Sequence, residues 1–313
     1  IHTFDRDQPD FPDLIARFRA IVDMDPGRMS VGELFDGTVE TAASFTEDRH
    51  LVFDWDLLGA PWRPDAIRTA IATRDAVFGP DRWPTAALSN HDQPRQASRL
   101  AASVGASDVD AIARAAAVLL LTVRGTPFLY YGEELGMRDV DIPRTECIDP
   151  PANRVEPGFQ WWDRSRCRTP MPWKAGRGAG FTTDRPWLRL GPDADIRNVE
   201  AQESDPGSIL SLYRRLIALR ASTPALQVGS MDVLGGEDGT VVAYTRSTPE
   251  TTVVVAINVA RDPVRWMLPG DATSARWRTL LRTTEQDVVS EERRAGEAIE
   301  IEGDGAVILE RRG

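Results

Sequence analysis

Cysteine is almost absent from the chain. Two residues, Cys147 and Cys167, in 313 exclude a disulfide scaffold and lack metal-site spacing. Histidine is nearly as scarce, with three residues, so no His/Cys metal centre is expected and no cofactor is called for. Lysine is limited to Lys174, and the net charge is −11. No basic stripe exists to neutralise phosphates, which excludes nucleic-acid binding and argues against anionic membrane surfaces. No apolar run is long enough to span a bilayer. No signal peptide is visible, so a cytoplasmic location is expected. The chain opens at Ile1 without a methionine and reads as beginning mid-domain.

What is present alternates between strands and helices. Residues 12–24 place Leu14, Ile15, Phe18, Ile21 and Val22 on one helical face, closed by Pro26-Gly27. Short strands follow at 29–35 and 50–56. A helix is expected at about 65–77, then a strand at 84–89. A nearly all-apolar helix at 108–123 has Ser107 as its expected cap, and a last strand reads at 126–131. Four strands alternating with helices are the signature of parallel βα units. Helix 108–123 and the run Phe128 to Tyr131 are both expected in the core.

Residues 136–206 break that rhythm. They are rich in Pro, Gly and Arg and hold Trp161, Trp162, Trp173 and Trp187; a stretch of this length without periodicity suits a functional loop. Those aromatics could stack on sugar rings or pack locally beneath the loop. Residues 208–222 restore a helix. From about Met231 short strands with turns take over, as a β-sandwich does. The expected organisation is a partial barrel over 1–229 and a β-sandwich over 230–313.

The chemistry centres on SNHDQPR, Ser89 to Arg95. A small, apolar strand ends in Asn90, His91 and Asp92, and Pro94 stops its continuation. Glu33 closes an earlier strand in VGE. Ends of parallel strands converge on one face of a barrel, so Glu33 and Asp92 can share a pocket. Paired carboxylates serve glycoside hydrolysis, one as proton donor and one at the cationic centre. They could equally be structural ion-pair partners, and Asn-His-Asp alone could be a turn with a solvated Asp.

Several motifs occur together: VGE (31–33), SNHDQPR (89–95), GTPFLYYGEELGM (125–137), RTPMPW (168–173), DQPDFPDLIARFR (7–19), NVEAQ (198–202) and SLYRRLIALR (211–220). Across residues 1–222 the chain resembles the α-amylase superfamily of glycoside hydrolases, in its α-glucosidase and oligo-1,6-glucosidase branch. The resemblance implies an α/β fold: strands five to eight of a TIM barrel, followed by a small all-β domain. It implies a retaining α-glycosidase acting on short oligosaccharides. Glu33 would be the general acid/base, Asp92 the third carboxylate that holds sugar hydroxyls, and His91 a hydrogen-bonding partner of the same sugar. Arg164 falls where this branch has the first Arg of Arg-Asp-Gly-Cys-Arg-Thr-Pro, a contact to the non-reducing glucose. Here RSRCRTP puts Ser165 and Arg166 in place of the Asp and Gly, and a solvent-exposed arginine is an equal reading.

The family's nucleophile motif, Gly-Phe-Arg-x-Asp, does not occur in these residues; Asp5 and Asp7 do not match it. The usual metal-binding loop of the early barrel is missing too. The chain therefore reads as a fragment of an enzyme, inactive by itself. Relatives with the same chemistry include sucrose isomerases and trehalose synthases. A non-catalytic alternative is the barrel of amino-acid transporter heavy subunits. Retention of Glu33, His91 and Asp92 favours the enzyme.

Overall fold

A computed structural model describes residues 8–34, 37–46, 50–150, 152, 163–235, 239–270, 275–284 and 291–312. Trp161, Trp162, Asp5, Asp7 and Phe35 lie outside the described residues. The first half is built from βα units. Helix α1 (Phe11–Val22) leads to β1 (Val31–Gly32), α2 (Val39–Phe45), β2 (Leu51–Val52), α3 (Asp56–Gly59), α4 (Pro64–Phe78), β3 (Thr85–Ala87), α5 (Gln96–Val104), α6 (Val109–Thr122) and β4 (Thr126–Phe128). β1 pairs in parallel with β2, and β3 with β4. Thr85 joins the two pairs: its hydroxyl donates to the Val52 carbonyl (3.2 Å) and accepts from the Asp54 amide (3.2 Å). These four parallel strands are the part-barrel expected from the alternation.

The strands are shorter than their apolar runs suggest, because ladder pairing ends where each strand-end loop begins. Helix α4 stops at Gly79, which takes φ +61°, a conformation glycine adopts without penalty. Helix α6 is capped by Asp108, not Ser107: the Asp108 carboxylate accepts from the Ala111 amide at 2.9 Å. From Ala115 to Thr122 every residue of α6 is buried, as its composition requires.

The β4 run does not follow expectation. Leu129 is 42% and Tyr131 37% exposed. β4 pairs with β3 on one edge, and among the described residues no strand takes the other. The face that a closed barrel would bury therefore meets water. Leu14 and Ile21 on the apolar face of α1 are exposed as well, and Ile15 alone on that helix is buried.

After β4 the chain runs through short helical turns to the helix Ile209–Ser222, capped by Ser208. Eight strands follow: β5 (Ser230–Leu234), β6 (Val241–Ser247), β7 (Thr252–Asn258), β8 (Val264–Met267), β9 (Arg276–Arg282), β10 (Glu292–Arg294), β11 (Ala298–Ile301) and β12 (Ala306–Arg312). Six of them form an antiparallel sheet in the order β10-β9-β12-β7-β6-β5, and β11 with β8 forms a ribbon across it. In β7, Val254 and Ala256 face the ribbon layer with Trp277, Ile299 and Ile301. Val253, Val255 and Ile257 face α6 and the helix Ile209–Ser222 in one continuous core. Burial on both faces is why this strand reads as an unbroken apolar run.

Arginines seal the seam between the two parts. Arg246, fully buried, donates to the carbonyls of Thr122 (2.6 Å) and Gly229 (2.9 Å). Arg220 donates to those of Leu121 (2.9 Å) and Gly125 (2.7 Å). Between them these forks satisfy the Leu121 and Thr122 carbonyls that the end of α6 leaves open, and tie them to Gly125 and Gly229. Among the described residues no helix is long and apolar enough to cross a membrane.

Candidate active site

Glu33 stands directly after β1, and Asn90-His91-Asp92 three residues beyond the end of β3. Both strands are parallel members of the part-barrel, so both segments emerge at its carboxyl end. Asn90 shapes the turn. Its side-chain oxygen accepts from the amides of Asp92 (2.9 Å) and Gln93 (2.8 Å), an Asx-type turn that swings His91 and Asp92 out of strand direction. The result brings three of the four expected site residues together: one polar atom each of Glu33, His91 and Asp92 lies within 4.8 Å of the others. Glu33 and Asp92 border a cleft of about 500 Å³ whose wall includes Trp55, Leu58, Asn90 and Gln93. Trp55 is held by its indole N–H on the Leu34 carbonyl (2.8 Å) and by stacking on Phe53 at 5.0 Å.

Arg164, the fourth, is not a free surface arginine. Its Nη1 donates to Asp92 Oδ1 at 2.8 Å, and its Nε and Nη2 donate to the two oxygens of Asp149 at 2.7 Å each. Arg168 takes the same Asp92 Oδ1 at 2.9 Å and donates from Nε to the His91 carbonyl at 2.7 Å. Asp163 caps the short turn Arg164–Cys167 through the Ser165 amide (3.0 Å), and that turn aims both guanidiniums at one carboxylate. Sequence reasoning misses Asp149 and Arg168. Arg168 stands inside RTPMPW and could have been found there; Asp149 carries no local signal except the Pro150 that follows it.

Two carboxylates and an imidazole at this spacing are also donors for a cation, but the two guanidiniums on Asp92 oppose further positive charge there. The set suits a polyol better. A carboxylate accepts from hydroxyls, and an imidazole can donate or accept.

Beneath the SNHDQPR turn lies a buried polar layer. Ser89 accepts from the Gln96 amide (3.0 Å), and Gln96 donates to the Tyr213 hydroxyl (3.1 Å). Arg95 donates to the Tyr131 carbonyl (2.7 Å), with its guanidinium 4.7 Å from the Tyr131 ring centroid. Glu133 sits in this layer, 2% exposed. Burial raises its pKa from 4.5 to about 8, and the Ser89 hydroxyl beside it only partly offsets the rise. The folded state thus holds this proton more tightly than the unfolded chain. The contribution is complete below pH 4.5 and is lost as the pH climbs through about 8. Glu133→Gln should remove that alkaline decline, on the order of a few kcal/mol. Denaturant midpoints of both proteins in mildly acidic and mildly alkaline buffer check this; parallel pH slopes would contradict it.

A family model described as the α-amylase catalytic domain matches residues 1–229. A probable α-glucosidase of Rhizobium meliloti (strain 1021) is 34% identical over 274 residues, covering 86% of this chain and 49% of that protein. A probable oligo-1,6-glucosidase of Bacillus subtilis (strain 168) is 29% identical over 298 residues, covering 84% of this chain and 52% of that protein. Among solved structures, the trehalulose synthase of Pseudomonas mesoacidophila MX-45 superposes on 97% of this chain with a TM-score of 0.83 at 27% identity, using 59% of its own length. An α-glucosyl transfer enzyme gives 0.84 at 29% identity over 97% of this chain and 55% of its own. The chain spans about half the length of the curated relatives it matches.

Proposed function

Given that the chain belongs to the α-amylase family, we propose that its residues form the acid/base and sugar-holding side of a retaining α-glycosidase that cleaves α-glucosidic bonds in short oligosaccharides. The convergence of Glu33, His91 and Asp92 from the ends of two parallel strands, within 4.8 Å of one another, carries the reading. The names of the relatives, α-glucosidase and oligo-1,6-glucosidase, support the substrate class.

In this scheme Glu33 protonates the glycosidic oxygen as the bond to C1 breaks. A carboxylate from outside residues 1–313 captures C1, and Glu33 then takes a proton from the attacking water. Asp92 and His91 hold the hydroxyls of the glucose unit, more strongly as the ring flattens toward the transition state. Arg164 borders the same subsite. The site belongs to residues 1–229, and 230–313 form a supporting β-sandwich. A cytoplasmic location completes the proposal, in keeping with a chain that holds only two cysteines, both buried. A second reading, transfer or isomerisation instead of hydrolysis, draws on the solved trehalulose synthase and α-glucosyl transfer enzyme.

Glu33→Gln in the whole protein is the test. Turnover of maltose should fall by roughly 10²–10⁴-fold. An aryl α-glucoside with a good leaving group, which needs no proton, should lose far less. Equal losses on both substrates would remove Glu33 from the acid role. Product analysis on sucrose and maltose separates hydrolysis from transfer.

A further inference from the structure

We propose that Asp149 is a positioning residue for this site: it grips Arg164 fork to fork and, through Arg164, fixes the carboxylate of Asp92. The inference rests on the glycosidase reading for its kinetic consequence and on geometry alone for its structural one.

Asp149 is 6% exposed. A carboxylate so buried is costly unless it is paired, and both of its oxygens are taken by Arg164, at 2.7 Å each. Such bidentate pairing sets the plane of a guanidinium as well as its position. With Nε and Nη2 occupied, Nη1 is the nitrogen left over, and it lies 2.8 Å from Asp92 Oδ1. The rigid guanidinium therefore transmits the placement of Asp149 to Asp92.

Arg168 grips the same Oδ1 from a second direction and ties it to the His91 carbonyl. Among the described residues none donates to Asp92 Oδ2, so that oxygen is left for a sugar hydroxyl. The four side chains, two acids and two arginines, balance in charge. Without Asp149, Arg164 keeps one ionic partner instead of two, its plane is no longer set, and Asp92 loses one of its two anchors.

In the whole protein, Asp149→Asn should lower kcat on an aryl α-glucoside roughly ten- to a hundred-fold, the scale of a misplaced catalytic group. KM should stay within about twofold, because the interaction at stake strengthens in the transition state. In an Asp92→Asn background the same substitution should cost nothing further, as for residues acting in series. Full additivity, or a rise in KM with unchanged kcat, would overturn the proposal.

A crystal structure of the Asp149→Asn protein supplies a readout without turnover. The Arg164–Asp92 hydrogen bond should be broken, and its persistence would overturn the proposal even if the wild-type protein hydrolysed no glucoside. A wild-type protein without hydrolysis, but with Arg164 detached from Asp92 in the variant, would refute the glycosidase reading and leave the positioning intact. Should Asp149→Asn fail to fold, Asp149→Glu serves. Keeping the charge, it should retain the Arg164–Asp92 hydrogen bond, and a folded Glu variant without that bond would count against the proposal.

Discussion

Asp92→Asn in the whole protein should lower kcat on maltose by roughly 10²–10³-fold, the loss typical of removing one preorganised electrostatic group. Two effects act together. The amide accepts more weakly from a sugar hydroxyl than the carboxylate does. It also leaves Arg164 and Arg168, now 2.8 and 2.9 Å from Asp92 Oδ1, without their shared counter-charge, so the guanidiniums and the turn they hold can shift. His91→Ala should be milder, because it removes hydrogen bonds and no resident negative charge. Steady-state kinetics with a melting curve on each variant decide the matter. A folded Asp92→Asn protein with near-normal turnover would take Asp92 out of the site.

Residues 1–313 expressed alone should turn over no maltose, isomaltose or aryl α-glucoside. Retaining chemistry needs a nucleophile ~5–5.5 Å from the acid, and the motif that supplies it in this family is not in the sequence. Asp92 lies close enough to Glu33 to raise the question of a substitute. Its charge, however, is offset by two guanidiniums held on Oδ1, which lowers the nucleophilicity of the carboxylate as a whole, its free Oδ2 included. The scaffold points the same way. The outer edges of β1 and β4 have no strand partner among the described residues, and apolar side chains at Leu14, Ile21 and Leu129 are exposed. Open edges and apolar faces drive association. Saturable hydrolysis that disappears in Glu33→Gln would contradict the expectation and turn attention to Asp92 as the attacking group.

Much of this was legible in the chain itself, for identifiable reasons. An apolar strand that ends abruptly in polar residues before a proline leads the eye to its end, and at the end of this one the structure brings His91 and Asp92 beside Glu33. From Ala115 onward helix α6 is apolar except for its last residue, Thr122, and that stretch is buried throughout. The ion-pair chain was not legible, since Arg164 reaches Asp92 across 72 positions and Asp149 lies in a loop without periodicity. The exposure of Leu129 and Tyr131 escaped for a different reason. An apolar run shows that a strand can be covered on both faces, whereas its exposure depends on which neighbours are there. At the start of α6, adjacent Ser107 and Asp108 both had capping chemistry, and only the helical register chose between them.

The core that runs unbroken from α6 into β7 bears on how the molecule comes apart. The family match stops at residue 229, and the six-stranded sheet begins at Ser230. Yet Ile112, Leu120, Val242, Tyr244 and Val255 belong to one cluster, Arg246 closes the end of α6, and the Trp62 indole donates to Asp304 at 3.0 Å. A boundary in sequence relationship is here no boundary in free energy. Severing the chain at that point would strip water-shy surface bare on both pieces, so heat should melt the helical layer and the sheet in a single cooperative step.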